Sequence, residues 1–369
     1  MAVPEIPQRA FAPPPDDAFR ILSIDGGGIR GLIPAMVLAH LEELIARERS
    51  DATLAESFDL MAGTSTGGLI ALGLATPRAD GRPAMRAEEM FELYRGPDAR
   101  RIFSRPFYRR LPGVGRLSEL LDPKYGLDSL AEVLAERYGE ATLSEALCEL
   151  LITSYDMKER RPRFFKRYRE ESARLTAIDA GLATAAAPTY FPAYSLGEEA
   201  LVDGGVFASN PTIAAIVEAL KRTDAGGIER DELLVISLGT GHHESGFEAE
   251  EIGGWGAAEW ILPKGGDSPL LGAIFDGQSD ASDHWAHVLL NHDSEADATA
   301  EPGAGPHYYR FQVDLPEPIP LDATNEDQLQ MLQECGWRLI EAHADELEAL
   351  AEVLSEGNGP PPGGRSHSG

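Results

Sequence analysis

Gly63-Thr64-Ser65-Thr66-Gly67 spells G-x-S-x-G between an apolar run, "FDLMAG" (Phe58–Gly63), and a helical one, "LIALGLAT" (Leu69–Thr76). A serine on a sharp strand-to-helix turn presents its hydroxyl at the carboxyl end of a sheet, where it can attack an acyl carbonyl. Gly63 and Gly67 flank it because side chains there would collide across the turn. The following helix aims its N-terminus at the charge that develops. The plainer alternative is a Ser/Thr/Gly loop in which Ser65 merely caps that helix. A serine nucleophile also needs an oxyanion hole and a base.

The second glycine-rich stretch, "RILSIDGGGIRG" (20–31), offers the hole. Gly26, Gly28 and Gly31 satisfy G-x-G-x-x-G, the spacing of a dinucleotide turn. A dinucleotide fold also wants an acid about 20 residues on, at the end of a second strand. Here Glu42 and Glu43 fall inside a helical pattern, and the next strand leads to Ser65. Gly26, Gly27 and Gly28 therefore read as backbone N–H donors for an oxyanion. Arg30 either reaches a substrate phosphate or pairs with an acid, and pairing is the favoured expectation. Asp25 is expected to hold the loop in place, and Asp59 to be structural.

For the base, His242 and His243 follow "LGTG", and His284 and His287 lie in an acidic segment. Each reads as a surface or loop histidine. Asp203 in "LVDGG" ends a short apolar run, and Gly204 and Gly205 permit a tight turn that aims a carboxylate inward. An ordinary Asp-Gly turn has the same appearance.

The elements that must position these groups alternate. Apolar runs at Phe19–Ile24, Phe58–Gly63, Leu147–Asp156, Ala200–Gly205, Glu232–Gly241 and Tyr308–Leu315 read as strands. Helical patterns cover Leu32–Arg49, a stretch from Leu69, the "TIAAIVEALKR" segment and a long closing helix, Asn325–Leu354. Alternation of this kind predicts an α/β fold around a mostly parallel sheet. A Pro-rich arm (1–17) and a Gly/Pro-rich tail (357–369) are expected to be disordered, leaving one domain over 18–356.

A net charge of −29 argues against a nucleic-acid polymer as partner. The basic residues are clustered: residues 95–116 and 158–174 together hold 15 of the 32. With Phe103, Phe107 and Tyr108 interleaved, the first island could dock on anionic head groups; ion pairing with the chain's many acids is the competing account. Trp255, Trp260 and Trp285 are either a lid over an apolar pocket or buried core. Cys148 and Cys335 read as buried free thiols, neither a disulfide framework nor a zinc site. The first residues lack a signal-peptide core, and no run of apolar residues is long enough to span a bilayer.

In order, "DGGGIRG", "GTSTGG" and "DGG" resemble the patatin-like phospholipases, and the likeness extends to "TAAAPTYFP" (Thr184–Pro192), "LLVISLGTG" and "YYRFQV". The resemblance implies a three-layer sandwich with helices on both faces of the sheet and a nucleophile elbow. It implies a Ser–Asp dyad: Ser65 as nucleophile and Asp203 as general base. Gly26, Gly27 and Gly28 would form the oxyanion hole with Arg30 beside it, and Gly31, Gly63, Gly67, Gly204 and Gly205 complete the motifs. No cofactor or metal is implied. The expected substrates are acyl glycerolipids, met by a cytoplasmic protein working peripherally at a membrane surface. An effector phospholipase switched by a small-molecule activator is the alternative biology; a nucleotide-binding module and a noncatalytic lipid-binding protein are the alternative functions.

Overall fold

A computed structural model describes residues 18–104, 123–221, 228–243, 246–262, 268–291 and 307–356. The expected arm (1–17) and tail (357–369), and residues 105–116 of the first arginine island, lie outside them. Eight strands form one sheet: β1 Phe19–Ile24, β2 Leu60–Gly63, β3 Glu149–Asp156, β4 Arg161–Lys166, β5 Tyr194–Leu196, β6 Glu199–Asp203, β7 Leu233–Leu238 and β8 Tyr308–Phe311. The order is β5-β6-β3-β2-β1-β7-β8, with β4 also on β3. β1, β2, β3, β7 and β8 pair in parallel, whereas β4, β5 and β6 enter antiparallel.

Every residue of β1 and β7 is buried, because helices cover both faces. Alternate side chains serve separate cores. Leu22, Ile24, Met61, Ile152 and Ile236 pack with helices Leu32–Glu48 and Thr66–Ala75 on one face. Phe19, Ile21, Leu60, Ala62 and Val235 pack on the other with Ala215, Ile216 and Ala219 of helix Thr212–Leu220, and with Ala286 and Leu290 of helix Pro269–Leu290. The result is the expected three-layer α/β sandwich.

β3 organises the site. Its residues 151–156 pair with β4 along one edge. Overlapping registers then force β2 and β6 to share the other edge. β2 runs up it as far as Gly63, opposite Ile152, and β6 runs down it as far as Asp203, opposite Ser154. The two carboxyl ends meet head-on.

Two expectations are corrected. The closing helix is two, Glu326–Ala342 and Ala344–Ser355, separated by His343 at φ −118° and ψ 25°. The break lets Leu332, Leu339, Leu350 and Leu354 all be buried in one core. The tryptophans are not core: Trp255 and Trp260 are half-buried and Trp285 is 58% exposed. The described basic residues of the islands are largely committed to ion pairs, among them Arg100–Glu326, Arg101–Glu136, Lys158–Glu198, Arg163–Glu199 and Lys166–Glu218.

Candidate functional site

Ser65 stands between β2 and helix Thr66–Ala75 with φ 53° and ψ −123°, a backbone conformation few side-chain-bearing residues adopt. Strain of this kind persists only where the surroundings over-determine it. Several contacts do so here. The Ser65 N–H donates to Thr184 Oγ1 at 2.8 Å, Thr64 Oγ1 donates to Ala208 O at 2.6 Å and lies 2.7 Å from Thr153 Oγ1, and Thr66 Oγ1 bonds the Tyr94 hydroxyl. A Cβ on Gly63 would overlap the backbone of Gly67 across the turn, as expected. A Cβ on Gly67 would instead strike the Ile24 carbonyl at the end of β1, so that glycine serves strand packing and not the turn alone.

The glycine loop lies against the elbow: an added Cβ on Gly26 would come within 3.4 Å of Ser65 Cβ. Gly28, at φ +58°, leads into a short 3-10 turn (Gly28–Gly31) and helix Leu32–Glu48. The close approaches that glycine permits here are filled by the chain itself: Thr240 against Gly27, Leu321 against Gly28, and Thr66 against Gly31. In a dinucleotide turn that space belongs to the pyrophosphate. The expectation for Gly26 changes, because its N–H already donates to Ser209 O at 2.9 Å. Among the described residues the N–H groups of Gly27 and Gly28 have no acceptor, so they are the donors on offer.

Asp203 is 1% exposed. Its Oδ1 accepts the Gly205 N–H at 2.7 Å, and the Ser65 side chain faces the carboxylate closely enough to favour its charged form. Burial pushes its pKa up to about 7, against the opposing pull of those two neighbours. Gly204 fits closely beside Thr153, where any side chain would overlap it.

Ser65, Asp203, Gly26, Gly27 and Gly28 open onto one cavity of about 680 Å³, its open mouth included. Its remaining walls are mostly apolar, among them Leu69, Leu93, Ile102, Phe103, Phe191 and Phe275. Among the described residues none of the lining is a histidine. His242 and His243 border a separate cavity, and His284 and His287 lie on helix Pro269–Leu290. Arg30 also borders that second cavity; it pairs with no acid among the described residues, and its Nε donates to Gly27 O at 3.3 Å.

A family model described as patatin-like phospholipase matches residues 22–216. Patatin-like protein 2 of Arabidopsis thaliana is 33% identical over 361 residues, covering 90% of this chain and 86% of the relative. The chain belongs to the patatin-like phospholipase family. Patatin-16 of Solanum tuberosum is 34% identical over 276 residues, covering 67% of each chain. Among solved structures, VipD from Legionella pneumophila overlays with a TM-score of 0.41 at 12% identity, covering 89% of this chain and 67% of that one. Family membership supports lipid acyl hydrolase chemistry for this patatin-like chain.

The sequence reading missed parts of this patatin-like site. Thr184, which fixes the Ser65 amide, stands at the head of "TAAAPTYFP", a stretch legible only as part of the family pattern. Asp25 is held from two elements distant in sequence: Arg310 makes a bidentate pair with it at 3.0 and 2.6 Å, and Ser279 donates to it at 3.0 Å. Cys148 and Cys335 are buried free thiols, as expected. Among the described residues no group of three or more His, Cys, Asp or Glu is placed to hold a metal.

Proposed function

We propose that this chain hydrolyses acyl esters of glycerolipids, in the manner of a phospholipase A, with Ser65 and Asp203 as a catalytic dyad. The observation that carries the reading is the Asp203 carboxylate: buried, facing Ser65 on the same cavity, and raised to about 7. A general base works best with a pKa near the working pH. An ordinary aspartate near ~4 is too weak, but this one has the basicity usually supplied by histidine.

In this reading Asp203 takes the Ser65 hydroxyl proton as Ser65 Oγ attacks the ester carbonyl. The tetrahedral oxyanion is received by the Gly27 and Gly28 N–H groups and by the N-terminus of helix Thr66–Ala75. Collapse expels the alcohol or lysolipid, which recovers the proton from Asp203. Water, activated by the same carboxylate, then cleaves the acyl-enzyme. The apolar walls around Leu69, Phe103 and Phe191 receive the acyl chain. The lipid is met at a membrane surface by peripheral contact, and no helix among the described residues is long and apolar enough to cross a bilayer. The test is acyl release from phospholipid vesicles by wild type beside Ser65→Ala. Loss in the variant supports the reading, and appreciable residual release removes Ser65 from the role.

A further inference from the structure

Beside the candidate active site lies a larger cavity, about 1400 Å³ with its open mouth, that shares only Phe275 and Leu321 with the first. Leu321 O accepts the Ile29 N–H at 2.8 Å, so this cavity begins where the glycine loop ends. Its lining is of two kinds. At the loop end stands Arg30, which has no carboxylate partner among the described residues. Elsewhere on its wall Phe247, Trp255 and Trp260 form a run of edge-to-face rings, with centroids 4.7 and 5.2 Å apart at 71° and 82°.

We propose that this second cavity is a head-group subsite for a zwitterionic lipid whose outer end is a quaternary ammonium. The inference rests on the hydrolase reading of Ser65 and Asp203 and names the substrate class for it. A quaternary ammonium is held by aromatic faces and nearby carboxylates, because it offers positive charge without hydrogen-bond donors. All three rings border the cavity, and at 71° and 82° to one another the faces left open by their contacts turn in different directions. Asp276 borders the same cavity, and exposed Glu248, Glu250 and Glu259 lie close to the three rings in sequence. Carboxylates so placed favour a cation over an anion. Arg30, nearer the scissile bond, falls where the phosphodiester of such a lipid would lie. A lipid placed this way puts its reacting chain in the apolar cavity and its head group across the Phe275–Leu321 wall.

The test compares dihexanoylphosphatidylcholine with dihexanoylphosphatidylglycerol, both monomeric, so that the acyl cavity meets identical chains. Salt at about 0.5 M screens the long-range repulsion that the chain's net charge exerts on an anionic lipid. The choline lipid should be preferred roughly tenfold in kcat/KM, the size expected of a desolvated cation–aromatic contact. Trp260→Ala should remove most of that preference through KM, and Asp276→Asn, at an exposed position, should reduce it several-fold. Equal kcat/KM for the two lipids, or variants that lose both equally, would overturn the subsite. If neither lipid is hydrolysed, the hydrolase reading fails on its own. The subsite is then decided with Ser65→Ala, by tryptophan fluorescence titrated with each lipid. A choline-specific change that Trp260→Ala abolishes upholds the subsite, and none defeats it.

Discussion

Asp203 meets Ser65 because β6 and β2 end head-on along one edge of β3, with Asp203 opposite Ser154 and Gly63 opposite Ile152. Two residues beyond Gly63 the chain turns, and the serine hydroxyl arrives at the level of the carboxylate. Neither strand alone could place both groups. The placement of Ser65 and Asp203 is thus a property of register, and shifting either strand by one residue would turn Asp203 or the elbow to the opposite face.

The same geometry makes Asp203 a burden on stability above neutral pH. Its folded pKa, about 7, lies above the unfolded value near ~4, so the fold favours the neutral acid. The stabilisation is complete below pH ~4 and is lost as pH rises through about 7. At pH 8 the ionised group costs on the order of 4 kcal/mol, less whatever local relaxation recovers. Asp203→Asn should therefore be inactive yet more stable than wild type at pH 8, by roughly 1–4 kcal/mol, with the gain vanishing near pH ~4. Thermal melts across that range check both the sign and the window.

The loop glycines should separate by neighbour and not by motif. Gly63→Ala and Gly28→Ala drive a Cβ into fixed backbone, of Gly67 and Leu321 respectively, so each should cost about 3 kcal/mol or more and abolish activity. Gly197 has a similar positive φ of 59° but open space around it, so Gly197→Ala should cost only about 1 kcal/mol. Gly26→Ala meets only ordinary contacts at 3.4 and 3.5 Å and should fold normally. Urea denaturation of the four variants tests the ranking.

Arg310 and Asp25 form a buried bidentate pair, 12% and 3% exposed at the side chain, that ties β8 to the start of the glycine loop. Arg310→Met leaves a buried carboxylate without its partner and should cost about 3–5 kcal/mol. The double variant with Asp25→Asn should recover part of that loss. A double-mutant cycle in denaturant measures the coupling, and strict additivity would mean that the pair does not act as a unit.

Much of this was legible in the sequence. The β1 run Phe19–Ile24 coincides with its strand, and both glycine motifs fall at the ends of strands, because fully apolar runs closed by glycine leave few other readings. What stayed hidden depends on distant partners. The Gly26 N–H is engaged by Ser209, far away in sequence, so the donors on offer among the described residues are those of Gly27 and Gly28. His343 breaks a helical pattern whose one glycine, Gly336, stays helical, since the break answers to packing and not to propensity. Asp203 resembled any Asp-Gly turn until the register of β6 set it beside Ser65. Periodicity reports which face a residue takes, and says nothing of which strand end it meets.

The most direct test of the dyad is the rate at which a fluorophosphonate lipid analogue labels the protein, followed by intact mass and peptide mapping from pH 5 to 9. The account predicts one adduct, on Ser65, at a rate that rises through pH about 7 in the wild type, His242→Ala and His243→Ala, and falls by about a hundredfold or more in Asp203→Asn. An adduct on another residue, or Asp203→Asn labelling at the wild-type rate, would contradict it.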